Sequence, residues 1–208
     1  QFFDIKKITT TAHAVGAIAG FDLAHAAGNV ELQLHDSNVD FACWCSYKYL
    51  NSGPGGVSGI YIHQKHIADT TIPRFAGWWG HTKTTRFKME KGFEPILTAE
   101  GWQLSNAPIL SMAAHKAALD IFETAGMKNL IAKGKMLSDY LFFIIDEING
   151  GLKEKQIEII TPRKKKKKGC QVSMLMLKKG AAIFEALKQH AVLADWREPN
   201  VIRVAPVP

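Results

Sequence analysis

Two short apolar runs, each ending near a polar residue, constrain the fold of this chain most strongly. They are AIAGFD (17–22) and VDFACWCSY (39–47), and their length and continuous apolar character are typical of strands buried on both faces of a parallel sheet. The segment between them (24–38) is rich in small residues and predicts a helix or a turn. A helix over 4–15 and an alternating, antiparallel strand over 56–64 complete the order α-β-α-β-β, which indicates a mostly parallel α/β sheet.

The rest of the chain has a different pattern. Residues 65–101 are polar and rich in aromatic residues and glycine, which predicts a long loop. A long helix is predicted from about 108 to 147, with Gly126 as a point of interruption. We therefore predict a first domain over 1–105 and a small α+β domain over 106–208 that begins with this helix. The later segments of that domain are QIEIITP, CQVSMLML, AAIFEALKQH and VIRVAPVP.

Most of the net charge comes from one basic run. The six positives of RKKKKK (163–168) account for all but one unit of the formal net charge of +7. A single basic run without interleaved aromatic residues or glycine–arginine repeats is typical of a solvated loop or a disordered tract. A nucleic-acid or heparin surface is the weaker interpretation, and we expect no nucleic-acid partner.

The three cysteines and the apolar content indicate a cytoplasmic protein. Cys43 and Cys45 share one face of a strand, a poor spacing for a disulfide framework or a zinc site, so with Cys170 they are predicted to be reduced core thiols, and no metal is expected. No apolar stretch approaches the ~20 residues needed to span a bilayer. The chain opens on Gln1 without a methionine or a signal peptide, so we expect that its beginning is missing.

Asp22 and Lys48 lie at the predicted carboxyl ends of neighbouring strands, where α/β sheets bind ligands. Taken alone, the two are best explained as a structural ion pair. However, the glycine-rich turn NSGPGG (51–56) lets backbone approach a ligand closely, and His25 is spaced to share a helical face with Asp22. A desolvated lysine can form a Schiff base, and a carboxylate can keep the ring nitrogen of pyridoxal phosphate protonated. The spacing therefore fits a pyridoxal-phosphate site.

A set of motifs in fixed order resembles the kynureninase family, pyridoxal-phosphate enzymes of the aspartate-aminotransferase-like fold. The motifs are GFDLAHAAGNVELQLHDSNVDFACWCSYKYLNSGPGG, GWWGH (77–81), FEPILTAEGWQLSNAPI (93–109) and IRVAPVP (202–208). The resemblance runs over 1–208 but covers only the C-terminal half of a family member. It implies an α/β chain in which 1–105 is the remaining part of the large cofactor-binding domain, followed by the small C-terminal domain.

The resemblance implies catalytic and cofactor-binding roles for four residues around the second strand. Lys48 would hold pyridoxal 5'-phosphate as a Schiff base and then move protons at the substrate α-carbon and the cofactor C4′. Asp22 would pair with the pyridine nitrogen, and His25 would help to position the cofactor. Tyr47 would bind the phosphate and donate a proton late in the reaction.

Four further residues have roles only through the resemblance. Trp78 and Asn106 would reach the phosphate and the substrate across a homodimer interface, Arg203 would clamp the substrate α-carboxylate, and His81 would lie near the substrate's aromatic end. Taken singly, Trp78 is typical of a core or interface aromatic, Asn106 of a helix N-cap and Arg203 of a surface ion pair.

The implied reaction is the hydrolysis of L-kynurenine, or its 3-hydroxy form, in tryptophan catabolism and pyridine nucleotide biosynthesis. Removal of the α-proton, addition of water to the side-chain ketone and cleavage between the β- and γ-carbons would release anthranilate and alanine. The first half of a family member supplies further cofactor contacts that this chain lacks. Two alternatives stay open: another pyridoxal-phosphate lyase or cysteine desulfurase, which typically has histidine at the position of Tyr47, and a non-catalytic basic binding module.

Overall fold

The computed structural model describes residues 1–208, apart from the side chain of Lys165. The chain forms two compact units. The sheet unit comprises Asp4–Gly28 and Leu32–Ile121, and the C-terminal unit comprises Gln1–Phe3, Asn29–Glu31 and Phe122–Pro208. Among the described residues, no helix combines the length and the apolarity that crossing a membrane requires. The functional division at residues 105 and 106 stays a prediction.

The sheet unit is built on three strands in the order β1-β2-β3. Strand β1 (Gly20–Asp22) is parallel to β2 (Phe41–Cys45), and β2 is antiparallel to β3 (Ser58–Ile62), as the sequence pattern predicted. Helix α1 (Ile5–Ala14) precedes β1, and the short helix α2 (Gln64–Ile67) follows β3. The segment between β1 and β2 forms turns rather than a helix.

One face of this sheet is buried and the other is exposed. Ala42 lies on the buried face in register with Phe21 and Tyr61, and this face contributes to the core of the unit. The alternate residues point the other way: Phe41 is 44% exposed, and Cys43 is exposed as well. The predictions of strands buried on both faces and of Cys43 as a core thiol were therefore wrong.

The physical reason is the period of two along a strand, which sends neighbouring side chains to opposite faces. A continuous apolar run does not reveal which of its two faces other residues cover. Cys45 is half-buried, and Cys170, in the C-terminal unit, is buried as predicted.

The predicted loop over 65–101 is largely irregular, with two single-turn 3-10 helices at Trp78–Gly80 and Ala99–Trp102. The predicted long helix is two helices, α3 (Ile109–Ala125) and α4 (Met127–Gly150). Gly126 separates them with φ +77° and ψ 125°, a conformation that side-chain-bearing residues rarely adopt.

The C-terminal unit packs helices against an antiparallel sheet. Its strands are β4 (Ile157–Ile159), β5 (Val172–Met176), β6 (Asp195–Arg197) and β7 (Val201–Val204), in the order β4-β5-β7-β6. Helix α5 (Gly180–Gln189) lies between β5 and β6 in sequence. The core combines one face of α4 with the sheet, and its buried members are Phe142, Ile145, Val172, Met174, Met176 and Ile202.

The basic run is not uniformly solvated. Lys168 is 4% exposed, and its Nζ donates to Ser138 Oγ and Asp139 Oδ1, both at 2.9 Å. The same ammonium lies 4.2 Å from the ring centroid of Phe142. The prediction of a solvated run was therefore wrong for Lys168, because two oxygen acceptors and an aromatic face replace the water that a buried ammonium loses. Arg163, at the other end of the run, is exposed and forms a bidentate ion pair with Asp146.

Candidate active site

The candidate site begins where β1 and β2 end side by side. Asp22 is the last residue of β1 and is paired in register with Cys43. Beyond it, Leu23 N donates to Cys43 O at 2.8 Å, which keeps the two strand ends together. The exposed Asp22 carboxylate accepts a hydrogen bond from Ala24 N at 2.8 Å, which fixes its orientation. The parallel pairing thus places this carboxylate at the same edge of the sheet as the residues that follow β2.

Lys48 meets His25 at this edge. The Lys48 Nζ lies 3.1 Å from His25 Nε2, and it lies 5.8 Å from the centre of the Tyr47 ring. This distance is that of a hydrogen bond between the lysine amine and the imidazole ring. The prediction of a shared helical face for Asp22 and His25 was wrong, because the chain turns after β1. The turn nevertheless brings His25 to Lys48, while Tyr47 is 52% exposed.

Two buried serines hold the turn that follows Lys48. Ser46 is fully buried, and its Oγ lies 2.5 Å from Ser52 Oγ and donates to the carbonyl oxygen of Val57. Ser52 N donates back to Ser46 O at 3.2 Å. These contacts close the segment between Ser46 and Ser52 into a loop that presents Tyr47 and Lys48. The sequence analysis missed both serines, although two serines flanking a lysine before a glycine-rich turn were the available signal.

The segment GWWGH is organised by Arg86, which the sequence analysis also missed. The Arg86 Nη2 donates to the carbonyl oxygens of Trp79 at 2.5 Å and His81 at 3.1 Å. Its guanidinium carbon lies 4.6 Å from the Trp79 ring centroid and 5.8 Å from that of Trp78. Trp78 also contacts Phe87 edge to face, so it is part of an aromatic cluster while remaining 47% exposed. Trp78, His81 and Arg86 contribute to the lining of a cavity of about 240 Å³.

His81 is held by a chain of hydrogen bonds within the sheet unit. Its Nδ1 accepts from Glu94 N at 3.3 Å, so the ring proton is on Nε2, which lies 3.1 Å from Thr85 Oγ1. Thr85 Oγ1 in turn donates to Glu94 Oε2 at 2.9 Å. Both ring nitrogens are thus engaged, which favours a structural role for His81 over direct donation to a ligand.

Asn106 and Arg203 are each described by their local surroundings. Asn106 is exposed and precedes the start of α3, where Met112 N donates to Pro108 O at 2.9 Å, so Pro108 rather than Asn106 occupies the helix start. Arg203 is on β7 of the C-terminal unit, where its guanidinium contacts Asp195. Of the eight predicted site residues, Lys48, His25 and Tyr47 are in direct contact through the Lys48 amine.

An ionic cluster lies at the opposite end of β2 from Lys48. The Asp40 side chain is 4% exposed, and its two oxygens contact Lys65 Nζ, His66 Nε2, His13 Nε2 and the amide of Ala19, each at 2.7 Å. Burial alone would raise the pKa of Asp40, but these hydrogen bonds outweigh it and hold the pKa well below its usual range. The cluster ties α1, α2 and the first two strands together. Within the described side chains, no group of three metal-ligating residues is arranged to hold a metal ion.

The fold is shared with solved structures of other proteins. A cysteine desulfurase from Escherichia coli is similar with a TM-score of 0.72 and 13% sequence identity, over 99% of this chain and 50% of that one. A mutant of C-DES with glycine covalently linked to the PLP cofactor is similar with a TM-score of 0.64 and 19% identity, over 86% of this chain and 44% of that one. The chain therefore has an α/β fold, that of the C-terminal part of these pyridoxal-phosphate-dependent structures, as predicted.

The sequence is similar to those of kynureninases over its whole length. The kynureninases of Flavobacterium psychrophilum and Flavobacterium johnsoniae are 53% and 52% identical to this chain over 208 residues. Each alignment covers 100% of this chain and 49% of the relative, so the chain spans about half the length of the curated relatives it matches. Residues 130–208 match the model of the kynureninase C-terminal domain. The resemblance to kynureninases is confirmed.

Proposed function

We propose that the protein carrying this chain is a kynureninase that requires pyridoxal 5'-phosphate. It would hydrolyse L-kynurenine, or its 3-hydroxy form, to anthranilate, or 3-hydroxyanthranilate, and L-alanine. The observation that carries the proposal is the position of the Lys48 amine, 3.1 Å from His25 at the carboxyl end of the sheet, in a chain 53% identical to a kynureninase. We further propose a cytoplasmic homodimer whose sites are shared between subunits.

The side chains at this sheet edge fit the proposed cofactor. Asp22 offers an exposed, oriented carboxylate for a protonated ring nitrogen, and Lys48 offers an amine for the cofactor aldehyde. Gly53 and Gly55 have positive φ values of +79° and +73°, and a Cβ atom at either position would meet no other atom within 4 Å. The turn after Lys48 therefore has open backbone that a phosphate can approach.

When bound, pyridoxal phosphate supplies an electron sink for the carbanion that forms at the substrate α-carbon. The residues of this chain would hold and orient the reactants around it. Lys48 would attach the cofactor covalently and, once released by substrate, carry the proton from the α-carbon to C4′. Asp22 would keep the ring nitrogen protonated, and His25, which is hydrogen-bonded to Lys48, would orient its amine.

The remaining residues would bind the ends of the cofactor and the substrate. Tyr47 would bind the cofactor phosphate and donate the last proton to the alanine product. Trp78 and Asn106 would reach the phosphate and substrate of the partner subunit, and Arg203 would pair with the α-carboxylate in a bidentate manner, for which its planar fork is suited. His81 would line the site near the aromatic end of the substrate, held by Thr85 and Glu94.

The proposal is tested by assaying the purified protein that carries this chain, saturated with pyridoxal phosphate. We expect anthranilate release from kynurenine and no sulfide release from cysteine, with Lys48→Ala abolishing both the turnover and the absorbance band of the attached cofactor. Lys116→Ala, which removes a 75% exposed lysine of α3 that pairs with Asp120 one turn away, is the matched control and should retain the band. Sulfide release without anthranilate would establish the desulfurase alternative. A Lys48→Ala variant that keeps its turnover and its absorbance band would refute the role of Lys48.

A further inference from the structure

Arg203 is held on one edge by a single carboxylate. Asp195 on β6 and Arg203 on β7 are direct partners in the antiparallel register. The Arg203 Nε donates to Asp195 Oδ2 at 2.6 Å, and Nη2 donates to the same oxygen. Both contacts use one edge of the planar guanidinium, the edge formed by Nε and Nη2. The Arg203 side chain is 27% exposed, so the group is neither fully buried nor free in solvent.

This geometry leaves the Nη1–Nη2 end of the guanidinium available to another ligand. A guanidinium carries five N–H donors, and the contacts with Asp195 use one on Nε and one on Nη2. Three donors remain, two on Nη1 and one on Nη2, and one from each nitrogen forms the end-on fork that binds a carboxylate with two parallel hydrogen bonds. Among the described residues, Asp195 is the acceptor that the structure gives to Arg203.

Asp195 is suited to act as a fixed anion at neutral pH. Burial would raise its pKa, but the hydrogen bond from Arg203 and the nearby charges of Arg203 and Arg197 outweigh this effect and lower it. Arg197 reaches the same Oδ2 through its Nε at 3.1 Å, but its side chain is 60% exposed. The two arginines therefore differ: Arg203 is the enclosed partner and Arg197 is a solvated one.

We propose that Asp195 is a positioning residue for substrate binding: it holds the Nε–Nη2 edge of Arg203 so that the Nη1–Nη2 fork faces the α-carboxylate of the amino-acid substrate. The inference rests on the proposed function, in which Arg203 binds that carboxylate. Without Asp195 the side chain can rotate about its flexible stem, and each binding event must then order it at an entropic cost.

The competing explanation is a surface ion pair that only stabilises the β6–β7 hairpin. The two explanations differ in what the loss of Asp195 does to ligands with and without a carboxylate. We would measure kynurenine kinetics, and inhibition by the decarboxylated analogue of kynurenine, in the cofactor-loaded protein that carries this chain. The variants are Asp195→Ala, Asp195→Asn, Arg203→Lys and the matched control Arg197→Gln.

Asp195→Ala is expected to raise KM for kynurenine by about tenfold or more with kcat within about threefold, the pattern of lost uniform binding. Inhibition by the carboxylate-free analogue should change less than about twofold, because that ligand does not use the fork. Asp195→Asn keeps one acceptor oxygen, so its KM for kynurenine should lie between those of wild type and Asp195→Ala. It also serves as the test if the alanine variant fails to fold. Arg197→Gln should change KM less than about twofold.

The double variant Asp195→Ala with Arg203→Lys should be little worse than Arg203→Lys alone, since the two residues act as one unit. An unchanged KM in both Asp195 variants, or an equal loss of affinity for the two ligands, overturns the inference while leaving the proposed function intact. If wild type releases sulfide instead of anthranilate, the proposed function fails. In that case, cysteine and its decarboxylated analogue test Asp195 in the same way. A wild-type protein that binds neither kynurenine nor cysteine overturns both the proposed function and the role of Asp195.

Discussion

Replacing Asp40 by asparagine should destabilise the sheet unit strongly. Each oxygen of the buried Asp40 carboxylate accepts two of the four contacts at 2.7 Å: His13 and Ala19 on one, Lys65 and His66 on the other. Asparagine has one acceptor oxygen, so it satisfies at most one of these pairs, and its amide nitrogen faces donors on the other side. It also leaves the positive charge of Lys65 without its counter-charge.

The expected loss is about 3–5 kcal/mol of the free energy of unfolding at pH 7, the cost of removing one member of a buried ion pair. The effect should depend on pH with a defined sign. Because the pKa of Asp40 is lowered in the folded protein, its stabilisation is complete above the unfolded pKa of ~3.9 and is lost as the pH falls toward the folded pKa. The difference between wild type and Asp40→Asn should therefore shrink below about pH 4.

The measurement is thermal unfolding, followed by circular dichroism, at several pH values. At ~2–4 °C per kcal/mol, the scale for a chain of this length, the Asp40→Asn midpoint should fall by ~6–20 °C at pH 7. Glu154→Gln is the matched control: Glu154 pairs with Lys178 at 2.6 Å, but the two side chains are 69% and 63% exposed, so its loss should hardly move the midpoint. A shift at Asp40 no larger than the control, or a shift that stays constant down to pH 3, would refute the reasoning.

Three further substitutions follow from particular contacts. Lys168→Ala removes a buried ammonium from two oxygen acceptors and should cost about 1.5–3 kcal/mol of unfolding free energy in urea, whereas Lys166→Ala, from the exposed part of the same run, should be neutral. Gly126→Ala forces a side chain into φ +77° and should lower the free energy of unfolding by about 1–3 kcal/mol. Gly150→Ala, at the open end of α4, should be neutral or stabilising, so equal urea unfolding midpoints for the two variants would contradict this account. Arg86→Lys loses the stacking on two tryptophans and should change the near-ultraviolet circular dichroism of the protein, and an unchanged spectrum would argue against that role.

The features that the sequence predicted correctly are those that depend on neighbouring residues. The pattern of apolar runs located β1, β2 and β3 and their relative directions, and Gly126 marked the break between α3 and α4. The position of Lys48 just beyond a strand also followed from local order, because the polar residues and the glycine-rich turn come directly after the apolar run.

The features that it could not predict depend on residues far apart in the chain. Six adjacent basic residues look alike in sequence, and the contacts with α4 bury Lys168 while the other described side chains of the run stay exposed. Similarly, Asp40 is defined by histidines 27 residues before it and 26 residues after it. Asp195 was missed because its importance lies in the register of β6 against β7, which brings it opposite Arg203.

The central claim, that Lys48 carries the cofactor, is tested most directly by chemical trapping. The protein that carries this chain is incubated with pyridoxal phosphate, reduced with borohydride, digested and analysed by mass spectrometry. We predict a single phosphopyridoxyl group on the peptide that contains SYKYL, located on Lys48, with Lys65 unmodified. A label on another lysine, or no label on Lys48 in a protein that retains its absorbance band, would contradict the account.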